Sequence, residues 1–477
     1  MSMKKNFFRK VGFGIGPNET VPVNPLSWAQ NQVDKIPPLI WGDSIRSGEE
    51  MLNYYAEWVY TDREILRKKH KNNRQAYRDA KNKLRHKVGK RYFENLEICI
   101  RQNTALKSGF PVFERLWFFW CNHFAIIDKD AMPQFTTGPY HRETIRANMC
   151  GSFETLLKEA TIGWSMIHNL DNSESIGPHS EWGKNRRKRG KLATVNENHA
   201  RELLELHTIS PAAGYSQEDV VQLSYIMAGW EHRYSKKRKE CNPVKFNQKK
   251  HEPGNHKVLG KTYKQHGLSP KNKLLDVLKD LAAHPQTRRF VAYKLCRHFI
   301  TDNPTEDMMA PIVDAWEKSN GNLPIIHKAL LKVIFDHSDK EEKFQNPEIW
   351  MLQMVHMVGG SWPLQADEMK YNFKIKPNNH QRKPRFFMKE IGYEPYRPIQ
   401  PNGFSDLESD WISPELLIRR MSAPKEIAKR KIILKNFEKM IDKNFDNPEE
   451  MKKLIDKVKS DSTKMQLIFP SYRMLKT

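Results

Sequence analysis

The chain has 477 residues and carries 80 Lys and Arg against 56 Asp and Glu, a formal charge of +24. Mean hydropathy is low at −0.74, but 12 Trp, 23 Phe and 15 Tyr bring enough large apolar surface for a packed core, which excludes a disordered chain. The length suits two or three domains or one large helical unit, and the charge favours an anionic partner unless it serves solubility alone.

The five cysteines, Cys99, Cys121, Cys150, Cys241 and Cys296, are scattered and odd in number, so neither a disulfide framework nor a zinc knuckle is encoded. The opening MSMKKNFFRKVGFGIG interrupts its apolar residues with Arg9 and Lys10. It offers no h-region and no twin-arginine signal, which predicts a cytoplasmic protein. The densest apolar run, LWFFWCNHFAII at 116–127, is shorter than the roughly 20 residues a spanning helix needs, so no membrane span is expected.

Apolar residues recur at three and four far more often than at two, and the predicted fold is mostly α: a multi-helix globular protein with long loops and little or no β. Residues 1–62 read as an irregular opening with Gly and Pro, followed by a helix near 46–60. Arg63 to Arg91 holds thirteen Lys or Arg against Glu64 and Asp79 alone, so 63–98 is expected to be a basic helical insertion, one exposed helix or a hairpin. A helical core, 99–235, follows with helices at 112–127, 140–149, 152–162, 196–209 and 216–229, interrupted by basic loops at 184–191 and 235–239. A basic loop with His251 fills 236–262. A second helical block, 263–360, carries helices at 270–282, 285–300, 306–319, 323–336 and 346–358. A Pro-rich loop region spans 361–423, with NFKIKPNNHQRKPRFF as a strand or loop, and 424–477 is a charged helical tail.

Four polar constellations stand out. On the 112–127 stripe, His123 follows Trp120 by three residues, which makes it a core histidine held by one hydrogen bond or a proton carrier in a dry pocket. YHRETIR (140–146) places Arg142 and Arg146 at i, i+4, a fork suited to a carboxylate or phosphate, or to ordinary salt bridges. NENHARELLELHT (196–208), projected at about 100° per residue, puts Ala200, Leu203, Leu204 and His207 on one face with Asn196 above them. Asn198, Glu202 and Glu205 gather opposite, with Arg201 between. HNLDN (168–172) supplies Asp171, and FNQKKHEPG (246–254) sets His251 and Glu252 before a Pro-Gly turn, in the loop context where function concentrates.

Taken together, WFFWCNHFA, YHRETIR, LDN, NENHARELLELHT, GYSQEDV, HEPG…KVLG, HPQTRRFVAYKLCRHF and the closing GYEPYRPIQPNGFSDLESDWISPELLIRRM resemble, in order, the family catalogued as domain of unknown function 1800, over residues 9–422. The match covers His123, Tyr140, Arg142, Arg146, Asp171, Asn196, Asn198, Arg201, Glu202, His207, His251, Gly254, Arg297 and Pro398. The resemblance implies a bacterial, largely helical protein of no established activity. It further implies an envelope or periplasmic location, and a functional partner from a second family that looks like sulfatases and phosphatases. The chain departs from the family in lacking a visible export signal and in its basic 63–91 stretch.

Two functions fit these residues. The favoured one is an enzyme with a buried His/Arg/Glu/Asp pocket acting on an anionic substrate. His123, His207, Glu202 and Asp171 are its catalytic candidates, while Tyr140, Arg142, Arg146, Asn196, Asn198, Arg201 and His251 are expected to bind substrate. A metal-assisted form draws on His123, His207 and His251 as ligands for a divalent transition metal, imidazole suiting zinc or iron, although no HxxxH, HExxH or ExxH spacing joins them. The alternative is a non-catalytic module that binds an anionic polymer, a polysaccharide or nucleic acid, through its basic clusters. A purely structural role predicts a fully connected buried network, because half-satisfied networks are costly.

Overall fold

The computed structural model describes residues 5–40, 45–57, 63–87, 90–130, 132–232, 243–265, 270–360, 384–428 and 437–477. They build a mostly α protein. Its only regular β structure among these residues is two antiparallel ribbons, Trp230–His232 with Val244–Phe246 and His256–Val258 with Lys261–Tyr263. The second ribbon turns through Leu259 and Gly260, both at positive φ, which matches the twist of a two-residue hairpin.

The centre is the helix Pro111–His123, on which every residue except Pro111 and Asn122 is buried. Such all-round burial marks an interior helix and not an amphipathic surface one. It ends at His123, short of the predicted 127, because Phe124 leaves helical geometry. Pro347–Met357 is buried almost as completely. Around them one continuous apolar core runs from Phe7 to Met474, so segments expected as separate opening, core, second block and tail all contribute to it.

The basic insertion is a hairpin of helices, Arg63–Lys69 and Arg74–Lys87, the first without a buried residue. The next helix, Lys90–Lys107, crosses the expected boundary at 98 without a break and is buried on nearly every side from Phe93 to Leu106. The predicted basic loop at 184–191 is largely helix, Glu181–Lys188, because the Ser180 hydroxyl caps it by accepting from the Gly183 amide. The 235–239 cluster and most of NFKIKPNNHQRKPRFF lie outside the described residues; the last part of the latter opens the helix Pro384–Glu390. Among the described residues no helix is long and apolar enough to cross a membrane.

Two motif helices depart from regular α geometry. Pro133–Pro139 runs directly into a π-helical turn, Tyr140–Ile145, and Asn198–Glu202 into another, Leu203–His207. Single π turns in α-helices are frequent at functional sites.

The loop PNGFSD closes onto the central helix. Asn122 accepts from the Phe404 amide at 2.7 Å and donates to its carbonyl at 2.8 Å. Gly403 has φ +79°, and a Cβ there would stand 2.5 Å from Asn122 Oδ1. Gly403→Ala is therefore expected to lose about 1–3 kcal/mol through strain plus displacement of Asn122, measurable as a lower urea midpoint with an unchanged slope.

Candidate functional site

His123, at the end of the central helix, donates from Nε2 to the His207 carbonyl at 3.2 Å. A carbonyl only accepts, so Nδ1 carries the lone pair, and it has no partner. The ring stacks on Phe119 and meets Phe124 edge-on at 4.5 Å, with His207 at 6.1 Å between centroids. His207 Nδ1 and both nitrogens of His199 are likewise buried without partners. Burial, with the nearby Lys294 charge and His207, holds His123 well below the usual imidazole range. His207 lies at about 3, lowered by burial, His199 and Lys294. Burial alone puts His199 at about 3. Lys294 is itself pushed down to about 8 by burial, against the pull of Asp406. Asp406 accepts from His298 Nδ1 at 2.7 Å. Burial favours its neutral form, but His298, Lys343 and Lys294 outweigh it and keep the carboxyl below its ordinary value. His123, His207 and His199 are neutral at pH 7 and weak proton acceptors.

Arg142 and Arg146 do not form an open clamp. Arg142 is bidentate on Glu97, at 2.9 and 3.0 Å, and donates to the Arg46 carbonyl. Arg146 is bidentate on Glu114, at 2.6 and 2.8 Å, donates to the Pro37 carbonyl, and lies over Phe113 and Trp117. In both pairs the fork is occupied by a buried internal carboxylate. Tyr140, buried with its hydroxyl unpartnered, opens the same π turn and lines a separate cleft.

On the NENHARELLELHT segment the faces separate largely as its periodicity predicts. Ala200, Leu203, Leu204 and His207 are buried, while Glu202 and Glu205 are half-buried. Burial, then the adjacent Glu205 carboxylate, raises the Glu202 carboxyl against the opposing Arg201. Glu205 accepts from Tyr215 at 3.2 Å, and Arg201 binds Glu197 and Gln217. Asn196 accepts from the Asn198 amide at 2.9 Å, a local turn that opens the helix.

The remaining motif loops form a polar platform whose inner residues, Asn172, Glu231, Lys250 and His251, are buried and whose edge reaches solvent at Asp130 and Asp171. Asn172 donates to the Met227 and Trp230 carbonyls, Ser173 accepts from the His232 amide, and Lys250 donates to the Ser173 carbonyl while pairing with Glu231 at 2.5 Å. His251 donates from Nδ1 to Ala228 at 2.9 Å and packs on Phe246, its Nε2 without a partner. Asp171, at φ 56°, pairs with Lys129 and leaves 43% of its side chain exposed. Along this edge runs a hydrogen-bonded chain: Asp130 Oδ2 to His168 Nε2 at 2.9 Å, and His168 Nδ1 to His232 Nε2 at 3.2 Å. Burial would raise Asp130, but the bond from His168 keeps it below its ordinary value. Burial lowers His232 to about 3, with His168 adding to the effect. An ionised Asp130 accepts the hydrogen bond from His168 Nε2–H. His168 Nδ1 must then accept from His232, which leaves the His232 Nδ1 lone pair at the end of the chain.

The expected residues thus fall in different places. His123 and His207 meet in the interior, Asp171 and His251 belong to the loop platform, and Arg142 and Arg146 sit in their own ion pairs. The three imidazoles considered as metal ligands do not converge: His251 packs among Ala228, Phe246 and His256, away from the His123–His207 pair. Among the described residues no group of three His, Cys, Asp or Glu side chains is placed to hold a metal ion. Asp130, His168, His232, His199 and Lys294 were not singled out by spacing. HNLDN contains His168, but its partners lie 38 and 64 positions away.

By its fold this is a mostly α protein with two small β ribbons packed on its core. The match to the model of the protein family of unknown function DUF1800 runs over residues 6–469, and the chain belongs to that family. No curated protein and no solved structure matches it.

Two outcomes follow from these charges. Arg146→Met should cost about 3–5 kcal/mol by leaving Glu114 buried and unpaired, and adding Glu114→Leu should recover much of it in a double-mutant cycle. His199 has a folded pKa of about 3 against about 6.5 unfolded. The unfolded chain therefore binds the extra proton between these values, and stability falls as pH drops from 6.5 towards 3. His199→Leu removes that slope, so its melting temperature relative to the parent should rise by more at pH 5 than at pH 7.5.

Proposed function

We propose that the protein is a general-base enzyme acting on an anionic substrate at the loop platform. The observation that carries this reading is the Asp130–His168–His232 chain, a carboxylate and two imidazoles bonded in series beside solvent. A proton leaving a substrate hydroxyl or a water enters at His232 Nδ1. The His232 Nε2 proton passes to His168 Nδ1, and the positive charge comes to rest on His168 against the Asp130 carboxylate. His232 alone, at about 3, is a weak base. The pair behind it supplies the stabilisation that general-base catalysis near neutral pH requires. His123 and His207 share the low basicity without any carboxylate hydrogen-bonded behind them, so their proposed part is to order the interior and not to move the proton. Asp171 and His251 stay as groups that shape the platform.

Support for an anionic substrate comes from the field around this edge. Lys129 and Lys250 lie close enough to lower the His232 pKa further. The basic helix Glu181–Lys188 is joined to the same loops, the Trp182 amide donating to the Lys249 carbonyl at 2.9 Å. Lys184, Arg186, Arg187, Lys188, Arg189 and Lys191 are all exposed, and among the described residues none has a carboxylate partner. Such a cationic rim raises the local concentration of anions, and it supports the polymer-binding alternative as well.

Turnover of chromogenic phosphate, sulfate and carboxylate esters, parent against His168→Asn, separates the two. The expected result is hydrolysis that falls about 10²–10⁴-fold in the variant while its melting temperature stays unchanged. Activity that survives the substitution sinks the assignment. Nitrogen-15 NMR of the histidines should show His232 protonated on Nε2; the Nδ1 tautomer also excludes the relay.

A further inference from the structure

The HEPG motif contains one group that the relay does not use. Glu252 is only 4% exposed, yet both of its oxygens engage a single residue of another loop. Oε2 accepts from the His179 amide at 2.9 Å, and Oε1 from the His179 imidazole Nδ1 at 2.6 Å. The loop that carries His179 is pressed against this carboxylate. A Cβ on Gly177 would stand 2.5 Å from Glu252 Oε2, and one on Gly183 would stand 2.3 Å from the Gly177 carbonyl. The Gly177 amide donates to the Lys250 carbonyl at 2.8 Å, which closes the contact. Unlike its buried partner, the His179 side chain is 67% exposed. It is the most exposed histidine among the described residues.

A carboxylate only accepts, so the neutral ring keeps its proton on Nδ1 and carries the lone pair on Nε2. Nε2 has no protein partner among the described residues, and the ring that bears it stands in solvent. Neither His168, with both nitrogens bonded, nor His298, buried against Asp406, offers this combination. An imidazole held in this way is an open nucleophile with a fixed negative charge behind it. Its surroundings suit a phosphoryl group. Arg187 donates from Nη2 to the Pro178 carbonyl at 3.4 Å, which sets a guanidinium of the basic helix Glu181–Lys188 beside the residue before His179. Guanidinium donors match phosphate oxygens in a two-pronged fork. A carbonyl substrate develops its charge only in the transition state and needs preorganised oxyanion donors, whereas a phosphoryl group arrives charged and is held at once.

We propose that His179 is a phosphoryl-acceptor site, modified on Nε2 by an acyl phosphate. The Nε2 lone pair forms the N–P bond, the P–O bond to the acyl group breaks, and the carboxylate leaves with that electron pair. The ring is left positively charged with its Nδ1 proton in place, and Glu252 stabilises it while the phosphoryl oxygens meet Arg187. The proposal is independent of the His168 relay, because the chain itself is the acceptor. The test is incubation of the full chain with acetyl phosphate, followed by phosphorus-31 NMR and peptide mass spectrometry in alkali, where N–P bonds survive. One phosphoryl group is expected on His179 Nε2, with none in His179→Gln. Uptake should be about tenfold slower in Glu252→Gln. Nitrogen-15 NMR of the neutral ring should show Nδ1 protonated in the parent and a shift towards the Nε2 tautomer in that variant. Arg187→Gln, at an exposed position, gives the same slowing if Glu252→Gln fails to fold. Absence of uptake overturns the proposal, as does uptake spread evenly over His179 and the half-exposed His70, His284 and His337. An Nε2-protonated parent, or a rate indifferent to both substitutions, overturns it too.

Discussion

The bidentate contact between Arg146 and Glu114 is the constraint on which the rest of the structure depends. Glu114 lies on the central helix at full burial, and Arg146 reaches it from the end of the π turn, stacked over Phe113 and Trp117. Neither charge can stay in the interior without the other, because desolvating a lone ion costs several kcal/mol. The pair therefore fixes where the YHRETIR segment meets the core, and the Pro37 carbonyl bound to the same guanidinium fixes the opening loops against both. Arg142 repeats the device one turn earlier with Glu97, tying in the long helix that follows the basic hairpin.

From this frame the interior and the surface acquire different chemistry. The central helix hands His123 to a dry space beside His207 and His199, where burial strips the imidazoles of basicity. The loops that emerge from the same helices reach solvent, and there a carboxylate stands behind His168. The two π turns lie on the interior side of this division. Each widens a helix by a residue at the point where an Arg, a Tyr or a His must face inward, and the turn at 203–207 ends by placing the His207 carbonyl on His123.

Charge is distributed in the same divided way. The basic excess is concentrated on exposed helices such as Glu181–Lys188, whereas the cleft beside Tyr140 is ringed by glutamates. A single net charge is a statement about the far field; the sign inside a recess is set by its few nearest groups.

Much of the architecture was legible in the residues. Helical periodicity located most of the helices, and it read 112–127 as an apolar stripe where the structure buries that helix on nearly every side. The Ala200, Leu203, Leu204, His207 face is buried as projected. Sequence spacing reached only as far as local geometry. It paired Arg142 with Arg146 as a fork but had no means of showing Glu97 and Glu114 in its mouth, 45 and 32 positions earlier. It placed His123, His207 and His251 among the candidates for one site, yet His251 packs elsewhere. It gave no warning that Asp130, His168 and His232 would line up. What the sequence by itself determined was the class of fold, the family and the side-chain types available for chemistry, because periodicity and composition act through near neighbours. Which of those side chains meet and which are paired off was decided by the tertiary structure. Those properties depend on burial and on partners brought together only when the helices pack.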